Sequence, residues 1–177
     1  IRYRWLTMTF TDKQKTCLLE IRLPKEITKS PSAMEIFFSY FWQSGAANYG
    51  EAFLDGRTRP WFSCELVSIG GEVRFFIWCS LAAKFKNIIE SQLYAQYPNV
   101  EIYEVPEESD YTKAIDFDME KYFLFGVEYT LTKPDPYPIK TYIGYGLDKE
   151  QKDEYKVDRM TAVLEFLGSL KKGENVW

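Results

Sequence analysis

Apolar and polar positions alternate with period two along Trp61 to Ile69 and again along Glu72 to Cys79, on either side of Gly70-Gly71. Strand side chains point to opposite faces in turn, so the alternation predicts two strands. The glycine pair supplies the positive φ angles that a tight hairpin turn demands. One face of the predicted hairpin holds Phe62, Cys64, Leu66, Val73, Phe75, Ile77 and Cys79. The other holds Trp61, Ser63, Glu65, Arg74, Phe76 and Trp78, neither cleanly polar nor cleanly apolar. A mixed aromatic face of this kind calls for partial covering or a partner, and it is the first functional pointer.

The same reading extends upstream and downstream. Residues 1–15 mix Arg, Trp, Met and Phe and predict no firm element. From Thr16 to Leu23, Cys17, Leu19, Ile21 and Leu23 face one way and Glu20 and Arg22 the other, a strand that Pro24 ends. Ser30-Pro31 opens a helix, with serine as cap and proline at the first helical position, and Met34, Phe37, Phe38 and Phe41 form its apolar stripe. Residues 44–59 read as a loop rich in small residues. A second helix runs from about Leu81 to Gln96, with Ser80 as its cap. It carries Leu81, Phe85, Ile88, Ile89 and Leu93 on one face, and Pro98-Asn99 breaks it. Val100 to Val105 is a short strand. The order over residues 16–105 is therefore β-α-β-β-α-β, an α+β arrangement with the ferredoxin-like split βαβ topology: an antiparallel sheet with both helices on one face.

After an acidic connector at 106–118 the pattern restarts. Lys121 to Thr132 alternates, with Phe123, Phe125, Val127, Tyr129 and Leu131 in phase, and predicts a long strand. Pro134, Pro136 and Pro138 then forbid helix. Asp158 caps a helix whose apolar face is Met160, Val163, Leu164, Leu167 and Leu170, Gly173 stops it, and Val176-Trp177 begins a strand. Residues 119–177 are thus expected to form a second, truncated α+β unit.

Composition narrows the function classes. In 177 residues the aromatic content is 18%, which suits sheet packing together with some adhesive surface. Lys and Arg number 22 against 26 Asp and Glu, a net charge of −4 without the basic footprint of nonspecific nucleic-acid binding. There is no histidine. Its absence removes the Ser-His-Asp and Cys-His arrangements, the usual zinc sites and the commonest general base. Cys17, Cys64 and Cys79 lie inside β-rich apolar runs and are expected to be buried free thiols, as in a reducing cytoplasm. No apolar run approaches the ~20 residues of a membrane-spanning helix.

No phosphate loop and no G-x-G-x-x-G occurs, so no nucleotide or other cofactor is predicted for this stretch. Asp110, Asp116, Asp118 and Glu120 lack the ligand spacing and central glycine of a calcium loop and read as solvated charge. Candidate partner-binding residues are Arg57, Arg59 and Trp61 beside the long loop, Arg74, Phe76 and Trp78 on the mixed sheet face, and Tyr137 in the proline-rich segment, which reads as a spacer or a docking edge. Gly71 to Trp78 also resembles the aromatic third strand of RNA-recognition motifs. However, Phe75 stands where that motif carries glycine, and the overall charge is acidic.

Four phrases carry a wider resemblance: LLEIRLPKEITKSPSAMEIFF from Leu18, RPWFSCELVSIGGEVRFFIW from Arg59, FKNIIESQLYAQYPNVEIYEV from Phe85 and LTKPDPYPIKTY from Leu131. They resemble the N-terminal, non-motor region of large proteins of candidate-phylum bacteria that are similar to the conjugative-transfer ATPases of type IV secretion systems. That resemblance covers about Leu18 to Trp177. It implies a membrane-spanning segment ahead of this region, with Arg2 and Arg4 as juxtamembrane positives on the cytoplasmic side, and a RecA-like ATPase domain after it. It further implies a non-catalytic role at the inner face of the bacterial membrane. The expected partners are proteins of a secretion or DNA-transfer assembly, with self-association as a further mode. The ends of the sequence, Ile1 and Trp177, fit a piece of a longer chain. The alternative from the residues alone is a free-standing single-stranded nucleic-acid-binding module that uses Arg74, Phe76 and Trp78.

Overall fold

The computed structural model describes residues 2–24, 32–40, 48–58, 61–80, 82–111, 120–134, 143–146, 149 and 160–177. Among them are five helices, α1 (Arg2–Asp12), α2 (Ser32–Ser39), α3 (Tyr49–Leu54), α4 (Ala82–Gln96) and α5 (Thr161–Gly168). Five strands accompany them, β1 (Thr16–Arg22), β2 (Phe62–Ile69), β3 (Glu72–Ser80), β4 (Glu101–Glu104) and β5 (Asn175–Val176). The chain divides into two compact units, Ile1–Pro106 with Val163–Trp177, and Glu107–Ala162.

The strands form one antiparallel sheet in the order β4-β1-β3-β2-β5, so the fold is α+β as expected. Its registers run Cys17↔Cys79 and Leu19↔Ile77 between β1 and β3, Phe62↔Cys79 and Cys64↔Ile77 between β2 and β3, and Ile21↔Ile102 between β1 and β4. Residues opposite one another share a face. Cys17, Leu19, Ile21, Ile77 and Cys79 therefore point together, and the core forms where Ala33 and Phe37 of α2 and Phe85, Ile89 and Leu93 of α4 pack with them. Phe37, Leu19, Ile77, Phe85 and Ile89 are fully buried. Side chains of this size are worth roughly 1.5–3 kcal/mol each when taken out of water, which is why the apolar stripes choose this face. The helix stripe holds at Met34 and Phe37. Phe38 departs from it, exposed and set edge-to-face against Phe37 with centroids 5.2 Å apart.

The fifth strand adds to the four of the β-α-β-β-α-β expectation. Val176 pairs with Ser68 and Asn175 with Ile69, so the strand foreseen at Val176-Trp177 lies on the edge of β2 in the main sheet. Its approach is fixed by the hairpin turn. Gly70 and Gly71 have φ of 59° and 92°, and Gly70 N–H donates to the Glu174 carbonyl at 2.9 Å. A Cβ on Gly71 would stand 2.5 Å from the Leu170 carbonyl oxygen. Nearby, the buried Ser68 hydroxyl donates to the Leu167 carbonyl at 2.7 Å, one of the last-turn carbonyls of α5 that lack an intrahelical donor.

Several expectations are corrected. Residues 1–15 contain a helix, α1. The expected loop at 44–59 contains α3, opened by a capping box in which Asn48 accepts from the Glu51 backbone and Glu51 accepts from the Asn48 backbone. Gly56, at φ 68°, lets α1 come close: a Cβ there would lie 2.4 Å from Leu6 backbone carbon. Cys64, expected buried, is exposed, while Cys17 and Cys79 are buried. The long strand expected from Lys121 to Thr132 is absent: residues 122–131 have no regular secondary structure and are exposed throughout. The helix caps expected at Ser30-Pro31 and Asp158 lie outside the described residues.

Candidate functional site

On the sheet face away from α2 and α4, the end of the hairpin farthest from its turn brings two indoles together. Trp61 precedes β2 and Trp78 lies on β3, and their ring centroids stand 6.2 Å apart with planes tilted by 35°. Trp61 is held by its backbone. Its N–H donates to Ser80 Oγ at 3.0 Å, and its carbonyl accepts from both the N–H (3.0 Å) and the hydroxyl (3.1 Å) of Ser80. The serine expected as a helix cap thus anchors Trp61. Two residues along β2, Ser63 faces Trp78, and its hydroxyl donates to Glu65 Oε1. The other carboxylate oxygen, Oε2, accepts from the Trp177 indole N–H at 3.2 Å. Trp61 is 50% and Trp177 62% exposed.

A neighbouring part of the same face is charged and internally paired. Glu20, nearly buried, accepts from Arg22 at 2.9 Å and 3.2 Å, and the Arg22 guanidinium sits 4.6 Å from the centre of the Tyr103 ring. Arg74 is paired with Glu72 at 3.0 Å. That bond holds the Glu72 carboxyl below, and the Arg74 guanidinium above, their ordinary ranges. The paired charges leave little field for an anionic ligand.

The residues singled out from the sequence therefore separate. Trp61 and Trp78 come together. Arg74 lies two residues before Phe76 on β3, on the same face, but is tied to Glu72. Phe76 is 3% exposed, so its ring offers no stacking platform. Arg57 is exposed after α3 and paired with Glu51 at 2.9 Å, a loop-anchoring contact. Arg59 and Tyr137 lie outside the described residues. Sequence reasoning did not identify Ser63, Ser80, Glu65 and Trp177 as one cluster. The link from Trp177 to Glu65 depends on β5 joining β2, a long-range pairing that no local pattern announces.

A second apolar surface belongs to the other unit. Tyr122 to Leu131 presents Phe123 at 93%, Phe125 at 77% and Tyr129 at 91% exposure. Among the described residues no three His, Cys, Asp or Glu side chains form a group suited to a metal ion, and no helix is long and apolar enough to cross a membrane. Comparison with protein-family models, curated proteins and solved structures returned no match.

Proposed function

We propose that this chain is a non-catalytic docking or assembly domain of a membrane-associated ATPase of the conjugation or type IV secretion kind, working at the inner face of a bacterial membrane. The observation that carries the reading is the exposed aromatic surface: the Trp61–Trp78 pair with Trp177, and the extended run Tyr122 to Leu131. Large apolar surface left in contact with water marks an interaction site, and interface centres favour Trp, Tyr and Phe over charge. Support also comes from the phrase resemblance and from the acidic balance of 22 basic to 26 acidic residues, which suits protein partners better than nucleic acid. We read β4-β1-β3-β2 as a ferredoxin-like arrangement extended by β5, a scaffold that serves many binding roles and by itself assigns none.

The test is site-specific photocrosslinking in the source cells, with a photoreactive phenylalanine placed at Trp61, Phe123 or Phe125 and, as control, at the buried Phe76. Crosslinks to proteins of the membrane fraction from the three exposed positions, above the Phe76 background, are expected. Crosslinks no stronger than at Phe76, or crosslinks to RNA or DNA instead, overturn the proposal.

A further inference from the structure

Cys17 and Cys79 are 62 residues apart in sequence and lie directly opposite one another on β1 and β3, with their sulfurs 3.0 Å apart in the core. Cys79 is fully buried and Cys17 is 5% exposed. The backbone fixes the geometry of the pair. Ser80 N–H donates to Trp61 on the β2 side, so the amide of Cys79 faces β1. Val105 N–H donates to the Leu18 carbonyl, so Cys17 in turn faces β3. The two cysteines thus occupy a hydrogen-bonded antiparallel pair, where Cα atoms stand about 5.5 Å apart. A disulfide spans Cα separations of about 4.4–6.8 Å, so the spacing of these strands is within its reach.

We propose that Cys17 and Cys79 form a peroxide-oxidisable dithiol, a reversible covalent staple between the central strands β1 and β3. The Cys17 thiolate attacks one oxygen of hydrogen peroxide, the O–O bond breaks, and a sulfenic acid forms on Cys17 with release of hydroxide. The Cys79 sulfur then attacks Cys17 Sγ and expels the second hydroxide. The two thiol protons leave with the two hydroxides, so one peroxide becomes two waters and two thiols become one disulfide. The hydrogen bond from Cys79 lowers the pKa of Cys17, which favours it as the attacking sulfur, whereas Cys79 beside it is raised. Burial restricts the oxidant to one as small as peroxide. It also denies the sulfenic acid an external thiol, so that Cys79 resolves it. Cys64 lies on β2 opposite Ile77, and desolvation followed by the Glu65 carboxylate raises its thiol above the ordinary value.

The experiment treats the folded chain and a Cys64→Ser variant with hydrogen peroxide, then alkylates in denaturant and maps peptides without reductant. The expected result is loss of two of the three thiols in the native chain and of both in the variant. A Cys17–Cys79 cross-linked peptide should appear in each, with a mass loss of about 2 Da per chain that dithiothreitol reverses. Retention of alkylatable Cys17 and Cys79, or oxidation confined to Cys64 or to bonds between molecules, overturns the proposal. Cys64→Ser leaves the core pair untouched, so folding of the variant does not confound the readout.

Discussion

Ser68 is a polar residue with no exposure, and its role follows from one bond, the donation of its hydroxyl to the Leu167 carbonyl. Ser68→Ala leaves that carbonyl unpaired in a dry site and should cost about 1–2 kcal/mol, read as a lowered urea midpoint at unchanged slope. Gly71→Ala meets two obstacles at once, the φ of 92° and the Leu170 oxygen 2.5 Å from the new methyl. A loss of ~2 kcal/mol or more is expected. Of these two residues the sequence revealed only the glycine, because a turn needs a positive φ whatever packs on it. Ser68 looked like an ordinary strand residue, and its partner lies 99 positions away. Buried Tyr97 sets a pH dependence. Desolvation raises its phenol above the ordinary value, so between the unfolded and folded pKa the native state holds more protons than the unfolded chain. Stability should therefore fall as pH rises above about 10, where the unfolded tyrosine ionises. Denaturation midpoints across pH 8 to about 11 check the sign, and Tyr97→Phe should flatten the decline.

At the scale of elements, agreement with the sequence is closest where periodicity and burial reinforce each other. β1, β2, β3 and α4 fall within a residue or two of their expected limits because each buries one face on the same core. Helix α1 escaped notice because its threonines and aromatic residues are poor helix formers, and no residue of it is buried. Helix α3 was legible in principle from Asn48 and Glu51, a capping signature inside what otherwise read as a loop. The missed strand is the opposite case. Alternation from Phe123 to Leu131 reports competence to pair, whereas a strand also needs an edge to pair with, which no single segment encodes. Two substitutions separate these regimes. Leu19→Ala, at a residue with no exposure, should cost about 2–5 kcal/mol. The double change Phe123→Ser, Phe125→Ser should leave the unfolding midpoint within about 0.5 kcal/mol of the parent while weakening association. A large stability loss from the double change would mean that those rings are packed rather than presented.

For the molecule as a whole, the packed sheet carries an internally paired charged patch, and each of the two units leaves aromatic side chains exposed, Trp61 and Trp177 in one and Phe123, Phe125 and Tyr129 in the other. That exposed aromatic surface is what the proposed docking role rests on. It also explains why the function is less legible than the fold: a core is completed by the chain itself, whereas an interface is completed by a partner that the chain does not contain. The most direct test of the docking reading is the reading frame around this sequence, determined by sequencing outward from both ends in its source. An apolar spanning segment ahead of Ile1 and a G-x-x-x-x-G-K-[ST] phosphate loop after Trp177 are the expected result, and would make this the accessory domain of a membrane-bound motor. A frame that closes shortly beyond Trp177 and carries neither feature would contradict it.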